Sequence, residues 1–229
     1  MPGILAIATG CSQKIQVREA DAVIPAGRIR IQAVPSTQPV RDFNFSGLVV
    51  EGEIAHSAIN DNQPVPVGRT VFLDRIPFVG PTVVRNRARV LDANITARSG
   101  FSVRDIFRFE PIFGVQTIYV DLETSSGGVQ ASDRSASYGP VFGARAGIQP
   151  HEMIEFYGQF TWSYLFGGRH RVEGIFGRRG EGGVRLLLDE HIGFFAGYRW
   201  SKLIQQRDPD ESNAEIELGG AILGLELRF

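Results

Sequence analysis

A histidine and a serine lie next to each other at His56 and Ser57, and these residue types serve some hydrolases as general base and nucleophile. In an extended strand, successive side chains point to opposite faces. The residue that shares a face with His56 is therefore Ala58, which carries no nucleophile. The pair predicts a polar strand end, and we expect the chain not to be an enzyme.

The other residues that could do chemistry are isolated in the sequence. His151, His170 and His191 occur singly at predicted turns or loops, without the spacing of metal ligands. Residues 177–183 are rich in glycine but lack the Lys-Ser/Thr pair of a phosphate-binding loop. We predict a flexible external loop there, and we expect neither a cofactor nor a metal site.

Cys11 is the only cysteine, so the chain cannot form an internal disulfide. It follows a short apolar run, residues 4–10, that ends in small residues. This arrangement resembles the lipobox of bacterial lipoproteins, in which the cysteine is acylated and becomes the new N-terminus. We expect residues 1–11 to be a signal segment with Cys11 as its lipidation site. An ordinary cleaved signal peptide and a buried lone cysteine are the alternatives.

The overall composition argues against two classes of protein. The 229 residues carry a formal net charge of −1, so no basic field predicts nucleic-acid binding. No stretch approaches the ~18 consecutive apolar residues of a transmembrane helix. Transmembrane β-strands need only about 9–11 residues of alternating polarity, and the mean hydropathy of −0.05 is compatible with them.

The final strand, residues 221–229, has one wholly apolar face and one that becomes charged. The apolar face ends in Leu225, Leu227 and Phe229, and the other face carries Glu226 and Arg228. This pattern resembles the closing strand of bacterial outer-membrane β-barrels, whose terminal Phe is recognised by the assembly machinery. The three apolar residues are the predicted assembly signal. The last strand of a soluble sandwich or lipocalin-like barrel is the alternative.

The alternation upstream predicts an all-β domain over residues 42–229, an eight-stranded antiparallel up-and-down transmembrane β-barrel. Phe43 and Phe45 are out of phase with the following apolar face, and a β-bulge would reset the phase. Residues 12–41 are polar and contain three prolines, which mainly predicts a periplasmic tether, although Val23, Ile24, Ile29 and Ile31 could form a short strand. Short turns are expected at residues 99–100, 149–151 and 189–190. Long loops are expected at residues 57–84, 123–135 and 206–213, with residues 166–183 ambiguous. The even strand count predicts that both termini lie on one side.

The polarity of the predicted strands is opposite to that of a soluble barrel. Large aromatic residues such as Trp162, Tyr164, Tyr198 and Trp200 lie near the ends of the apolar faces, as at a membrane interface. The opposite faces carry glycines and isolated charges, which we assign to the interior. The predicted interior charge network consists of Glu51, Glu53, Asp92, Glu110, Glu155, Glu226, Arg108, Arg145, Arg185, Arg199 and Arg228.

The architecture and the terminal strand resemble small outer-membrane barrels of the OmpA and OmpX type. The resemblance implies a location in the outer membrane of a Gram-negative-type bacterium, with the N-terminus in the periplasm. The expected partners are outer-membrane lipid and lipopolysaccharide, the barrel assembly machinery, and an unknown molecule bound by the loops. Phosphates of lipopolysaccharide would meet the arginines at 169, 171, 178 and 179.

Two functions are compatible with this sequence. The first is a structural or surface-interaction role through extracellular loops, with a lumen closed by its charges. The second is a narrow porin-like conduit, or one for small apolar solutes; an outer-membrane lipid-modifying enzyme is a minor alternative. The apolar residues Phe72, Leu73, Phe78 and Val79 would serve as a binding lip or as a packed lid.

Overall fold

A computed structural model describes residues 13–34, 43–104, 106–167, 172–207 and 212–229. The fold is all-β. Within these ranges, no helix is long and apolar enough to cross a membrane. The strands are β1 (Ile15–Val34), β2 (Phe43–Val65), β3 (Thr70–Leu73), β4 (Ile76–Val79), β5 (Thr82–Val103), β6 (Phe107–Ser126), β7 (Val129–His151), β8 (Ile154–Leu165), β9 (Val172–Leu187), β10 (Ile192–Arg207) and β11 (Ala214–Arg228).

Nine of these strands form one closed ring, in the order β1-β11-β10-β9-β8-β7-β6-β5-β2. Neighbouring strands are antiparallel, except where β1 lies parallel to β11 and closes the ring. They also follow chain order, except at this closure and where β2 pairs with β5 across the intervening β3 and β4. The closing register runs from Ile15 beside Ala214 to Arg30 beside Arg228. Because the ring is closed, its strands leave no unpaired edge. The remaining two strands, β3 and β4, pair only with each other.

The predicted count of eight strands is wrong, because the ring contains a ninth strand, β1. This strand lies within residues 12–41, where we predicted a tether. Its residues alternate in the way a strand requires: Ile24 and Arg28 are buried, whereas Val23 and Ile29 are exposed. Proline lacks a backbone N–H and usually marks a sheet edge, yet Pro25 lies within this strand beside Leu223.

The odd number of strands places the two described ends of the chain at opposite ends of the ring. We call one end the turn end; it holds the short connections at residues 104–106, 152–153 and 188–191. The other, the hairpin end, holds β3 and β4. Gln13 donates its N–H to the Thr70 carbonyl at the hairpin end, whereas Phe229 donates to the Arg30 carbonyl at the turn end. The prediction that both termini share one side is therefore wrong.

Several predicted turns and loops are strand in the structure. Residues 99–100 lie inside β5, and residues 123–135 extend β6 and β7, joined by Gly127 and Gly128 with φ of 57° and 83°. The segment 57–84 contributes the end of β2, the β3–β4 hairpin and the start of β5. Residues 177–183 lie within β9. Polar composition does not end a strand when a neighbouring strand still pairs with its backbone.

Two local predictions are confirmed. The register between β2 and β5 shifts between Phe45 and Leu48, which is the predicted bulge. A turn occurs at Asp189, whose Oδ1 accepts the N–H groups of His191 at 2.7 Å and Ile192 at 2.6 Å. These two hydrogen bonds favour the charged carboxylate and lower the pKa of Asp189 from its ordinary value.

Candidate functional site

The outer face of the ring carries a belt of exposed apolar side chains. Ile95 and Val115 lie near its middle, and both are more than half exposed. The border toward the hairpin end is aromatic, with exposed Tyr138, Trp162, Tyr164 and Tyr198. Beyond that border, β5 exposes the arginines Arg85, Arg87 and Arg89, followed by Val83 near its start. The outward polarity thus changes from apolar to cationic along single strands.

The β3–β4 hairpin lies across the hairpin end of the ring, and we call it the lid hairpin. Val71, Leu73 and Phe78 are buried in a cluster with apolar residues of the ring, among them Ile15 and Ile59. The lid hairpin also bonds to the start of β11 through its backbone: the Phe72 N–H donates to Ser212 Oγ at 3.0 Å. The apolar residues of this segment thus act mainly as a packed lid, although Val79 is exposed.

Below the apolar cluster, the interior contains six charged side chains that we call the middle cluster: Arg28, Arg179, Arg199, Glu53, Glu181 and Asp92. Arg28 bridges the two glutamates, with Nε 2.7 Å from Glu53 and Nη2 2.5 Å from Glu181. Arg199 joins the same carboxylates, at 2.7 Å from Glu53 and 2.5 Å from Glu181. Three cations meet three carboxylates, so the cluster is balanced in charge.

An aromatic ring lies on each side of the Arg28 guanidinium group. Its Cζ is 3.9 Å from the centre of the Phe195 ring and 5.8 Å from that of Tyr157. Tyr157 also donates its hydroxyl to Glu181 at 2.6 Å. The Phe195 ring occupies space opened by Gly224, where an added Cβ would lie 2.3 Å from Phe195 Cζ. Glycine here is required for interior packing.

Nearer the turn end, a second group of buried charges forms what we call the turn-end cluster. Arg185 lies 2.6 Å from Glu155 and 2.9 Å from Glu226, and Arg145 also binds Glu155 at 2.7 Å. Glu51 pairs with Arg98. The cluster consists of Arg30, Arg98, Arg108, Arg145, Arg185, Arg228, Glu51, Glu110, Glu155 and Glu226.

The interior residues that we predicted from alternation all lie on the inward face of their strands. Glu53, Asp92 and Arg199 meet in the middle cluster, and the other eight belong to the turn-end cluster. Arg108 differs from the other predicted interior residues, because no described carboxylate forms an ion pair with it. The predicted assembly residues Leu225, Leu227 and Phe229 are exposed on the outer face.

Among the charges of the two clusters, sequence reasoning missed five: Arg28, Arg30, Arg98, Arg179 and Glu181. The first two lie in the predicted tether. The last two lie in the predicted glycine-rich loop, where Arg179, Glu181 and Arg185 recur at every second or fourth position. This spacing was the sequence signal for a strand with an inward charged face, and the glycines between these charges obscured it.

The remaining candidates take no part in these clusters. His56 is exposed and Ser57 is buried, on opposite faces as predicted. Among the described residues, no group of three or more His, Cys, Asp or Glu side chains could hold a metal ion. Cys11, His170, Arg169 and Arg171 lie outside the described residues.

Two cavities among the interior groups are small. One, of about 30 Å³, lies between the apolar cluster and the middle cluster, beside Asp92 and Arg199. The other, of about 20 Å³, lies beside Glu51 and Arg98. Each volume suits about one or two water molecules. Side chains thus fill most of the interior at these levels.

Comparison with known proteins finds no match: no family model or curated protein matches the sequence, and no solved structure matches the fold.

Proposed function

We propose that the chain is an outer-membrane β-barrel of a Gram-negative-type bacterium, with a closed, charge-filled lumen and a structural or surface-interaction role. The observation that carries the proposal is the inverted polarity: an exposed apolar belt encloses buried ion pairs. In water, an exposed belt gains nothing from the hydrophobic effect, which is worth about 25 cal/mol per Å² of apolar area removed from water. In a bilayer, the same belt is solvated by lipid, and a closed ring leaves no backbone group unpaired.

The borders of the belt support one orientation in the membrane. Aromatic side chains favour the lipid–water interface, and the arginines of β5 lie just beyond Tyr138 and its neighbours at the hairpin end. Guanidinium groups pair well with phosphate groups, which are abundant in lipopolysaccharide. The hairpin end would then face the cell exterior and the short turns the periplasm. In this orientation Gln13 lies at the exterior end, opposite to the expected side.

Two features favour an interaction role over a conduit. The lid hairpin and the two charge clusters occupy successive levels of the interior, and the cavities between them hold one or two waters. The strands β6 and β7 also extend past the belt as a polar hairpin ending at Gly127 and Gly128. This hairpin and the outer surface of the lid hairpin are the proposed contact surfaces for a partner outside the cell.

Arginine substitutions at two outward positions test the membrane placement. Ile95 is 58 % exposed in the belt, so Ile95→Arg would cost about 2–4 kcal/mol near the bilayer midplane. Ser132→Arg is the matched control, because Ser132 is exposed on β7 beyond the aromatic border and would remain in water. We expect only Ile95→Arg to reduce the heat-modifiable folded band from cell envelopes. Equal yields for both variants, with protein monodisperse in detergent-free buffer, would refute the proposal.

Planar-bilayer recording separates the two functions. We expect the wild-type protein to show no stable open level, since the charge clusters leave no continuous path for ions. A large, steady conductance would refute the closed-barrel proposal and favour the conduit.

A further inference from the structure

Two interior arginines, Arg30 and Arg108, form no ion pair with a described carboxylate, and Arg30 is the more deeply buried of the two. Arg30 is 7 % exposed and faces inward on β1. No described carboxylate forms an ion pair with it, and no described group accepts a hydrogen bond from its guanidinium group. Its charged neighbours are three arginines, Arg98, Arg185 and Arg228, and one carboxylate, Glu226. The cations outnumber the carboxylate around a buried charge, which is costly, so an additional counter-charge would stabilise this end of the interior.

The carboxylates nearby are already occupied. Glu51 pairs with Arg98, Glu155 with Arg145 and Arg185, and Glu226 with Arg185 and Arg228. The turn-end cluster as a whole contains six arginines and four glutamates, whereas the middle cluster is balanced. The surplus of positive charge therefore lies at one end of the interior.

Arg30 faces a cavity that opens at that same end. The cavity measures about 250 Å³ and is lined by Arg30, Gln32, Glu190, His191, Arg228 and Phe229. This volume is several times the ~30 Å³ that one water molecule occupies in the liquid. The cavity has room for an oxyanion and part of the molecule that carries it.

We propose that this cavity is a binding site for a phosphate-bearing anion, held by Arg30 and Arg228. A phosphate group presents several acceptor oxygens, and a planar guanidinium fork donates to two of them at once. Arg30 supplies the buried contact, and Arg228, which is 22 % exposed, supplies one nearer the mouth. Glu190 is exposed at the rim and opposes the anion. The site requires only the closed ring, so it does not depend on the membrane proposal.

Calorimetric titration of the folded protein in detergent with inorganic phosphate, at an ionic strength matched with chloride, tests the site. We expect saturable binding by the wild type, weakened at least tenfold in Arg30→Gln and Arg228→Gln. Glu190→Gln should bind more tightly, because it removes a like charge from the rim. Arg89→Gln, on the outer face, is the matched control and should bind as the wild type does. Phosphate should also raise the unfolding midpoint of the wild type, since a ligand that binds only the folded state stabilises it.

The stability of Arg30→Gln without phosphate separates this role from a purely structural one. Removal of an unpaired buried cation should leave stability unchanged or increase it, whereas removal of a structural pairing partner would lower it. Three results would overturn the proposal: no phosphate binding by the wild type, equal binding by wild type and Arg30→Gln, or marked destabilisation of Arg30→Gln in chloride. The wild-type titration and Arg228→Gln test the site independently of Arg30→Gln.

Discussion

Replacement of Arg199 by methionine is the most direct test of the interior charge network. Arg199 donates to both oxygens of Glu53, at 2.7 and 2.8 Å, and to Glu181 at 2.5 and 2.9 Å. Breaking a buried ion pair by removing one partner typically costs about 3–5 kcal/mol, because it leaves an uncompensated charge. Both glutamates keep Arg28 as a partner, so we expect a loss near the lower limit, about 3 kcal/mol.

Urea unfolding in detergent, followed by far-UV circular dichroism and by the heat-modifiable gel shift, measures this loss. Arg89→Met is the matched control; it removes an exposed guanidinium group from the outer face and should change stability by no more than about 0.5 kcal/mol. Arg185→Met should cost more than Arg199→Met, since it leaves Glu226 with Arg228 alone, at 3.4 Å.

A double-mutant cycle distinguishes an ion-pair effect from lost packing. Glu181→Gln removes one of the carboxylates that Arg199 compensates. The double variant should therefore lose less stability than the sum of the single losses, by about 1 kcal/mol or more. A loss of under about 0.5 kcal/mol for Arg199→Met, or strict additivity in the cycle, would show that the network does not stabilise the ring.

Four further predictions concern assembly, lipidation, the lid and pH. Deletion of Phe229, or Leu227→Asp, should prevent the heat-modifiable form from accumulating in cells, and labelled palmitate should enter the wild type but not Cys11→Ala. Replacement of residues 67–80 by a short Gly-Ser linker should leave the bilayer conductance near zero, because the charge clusters below remain; an open level would show that the lid alone closes the lumen. The pKa of Asp189 is lowered in the folded protein. Its contribution to stability is therefore present above its unfolded pKa of about 3.9 and is lost as pH falls through the folded pKa. The free energy of unfolding of Asp189→Asn should differ from that of the wild type at pH 7, and the two values should converge in acid.

The facing of the strands was the most predictable feature of the fold. A period of two depends on each strand alone, so Leu91 and Ile95 were assigned to the outer face and Glu51 and Glu53 to the interior without knowledge of any partner strand. The structure has the same arrangement. The bulge after Phe45 was visible for the same reason, because it changes the phase of one strand.

The strand count could not be obtained in this way, because it depends on pairing between distant segments. β1 alternates, but its inward side chain Arg28 becomes intelligible only beside its partner Glu53 of β2. In the sequence alone, three prolines and scattered charges outweighed that pattern. Glycine caused the parallel error in β9, where Gly180 and Gly182 alternate with Arg179 and Glu181 and were taken for a loop.

The missed strand β1, the missed first part of β9 and Arg98 of β5 explain why the charge balance was misjudged. The predicted network held six carboxylates and five arginines and appeared nearly balanced as a single group. With β1, the whole of β9 and Arg98 of β5 included, the interior divides into a balanced middle cluster and a turn-end cluster with surplus arginine, and the turn-end cluster borders the cavity of about 250 Å³ beside Arg30. If charge served only to close the lumen, both clusters would be equally neutral. The proposed anion site rests on this imbalance, which lies at the end of the ring where no described carboxylate pairs with Arg30.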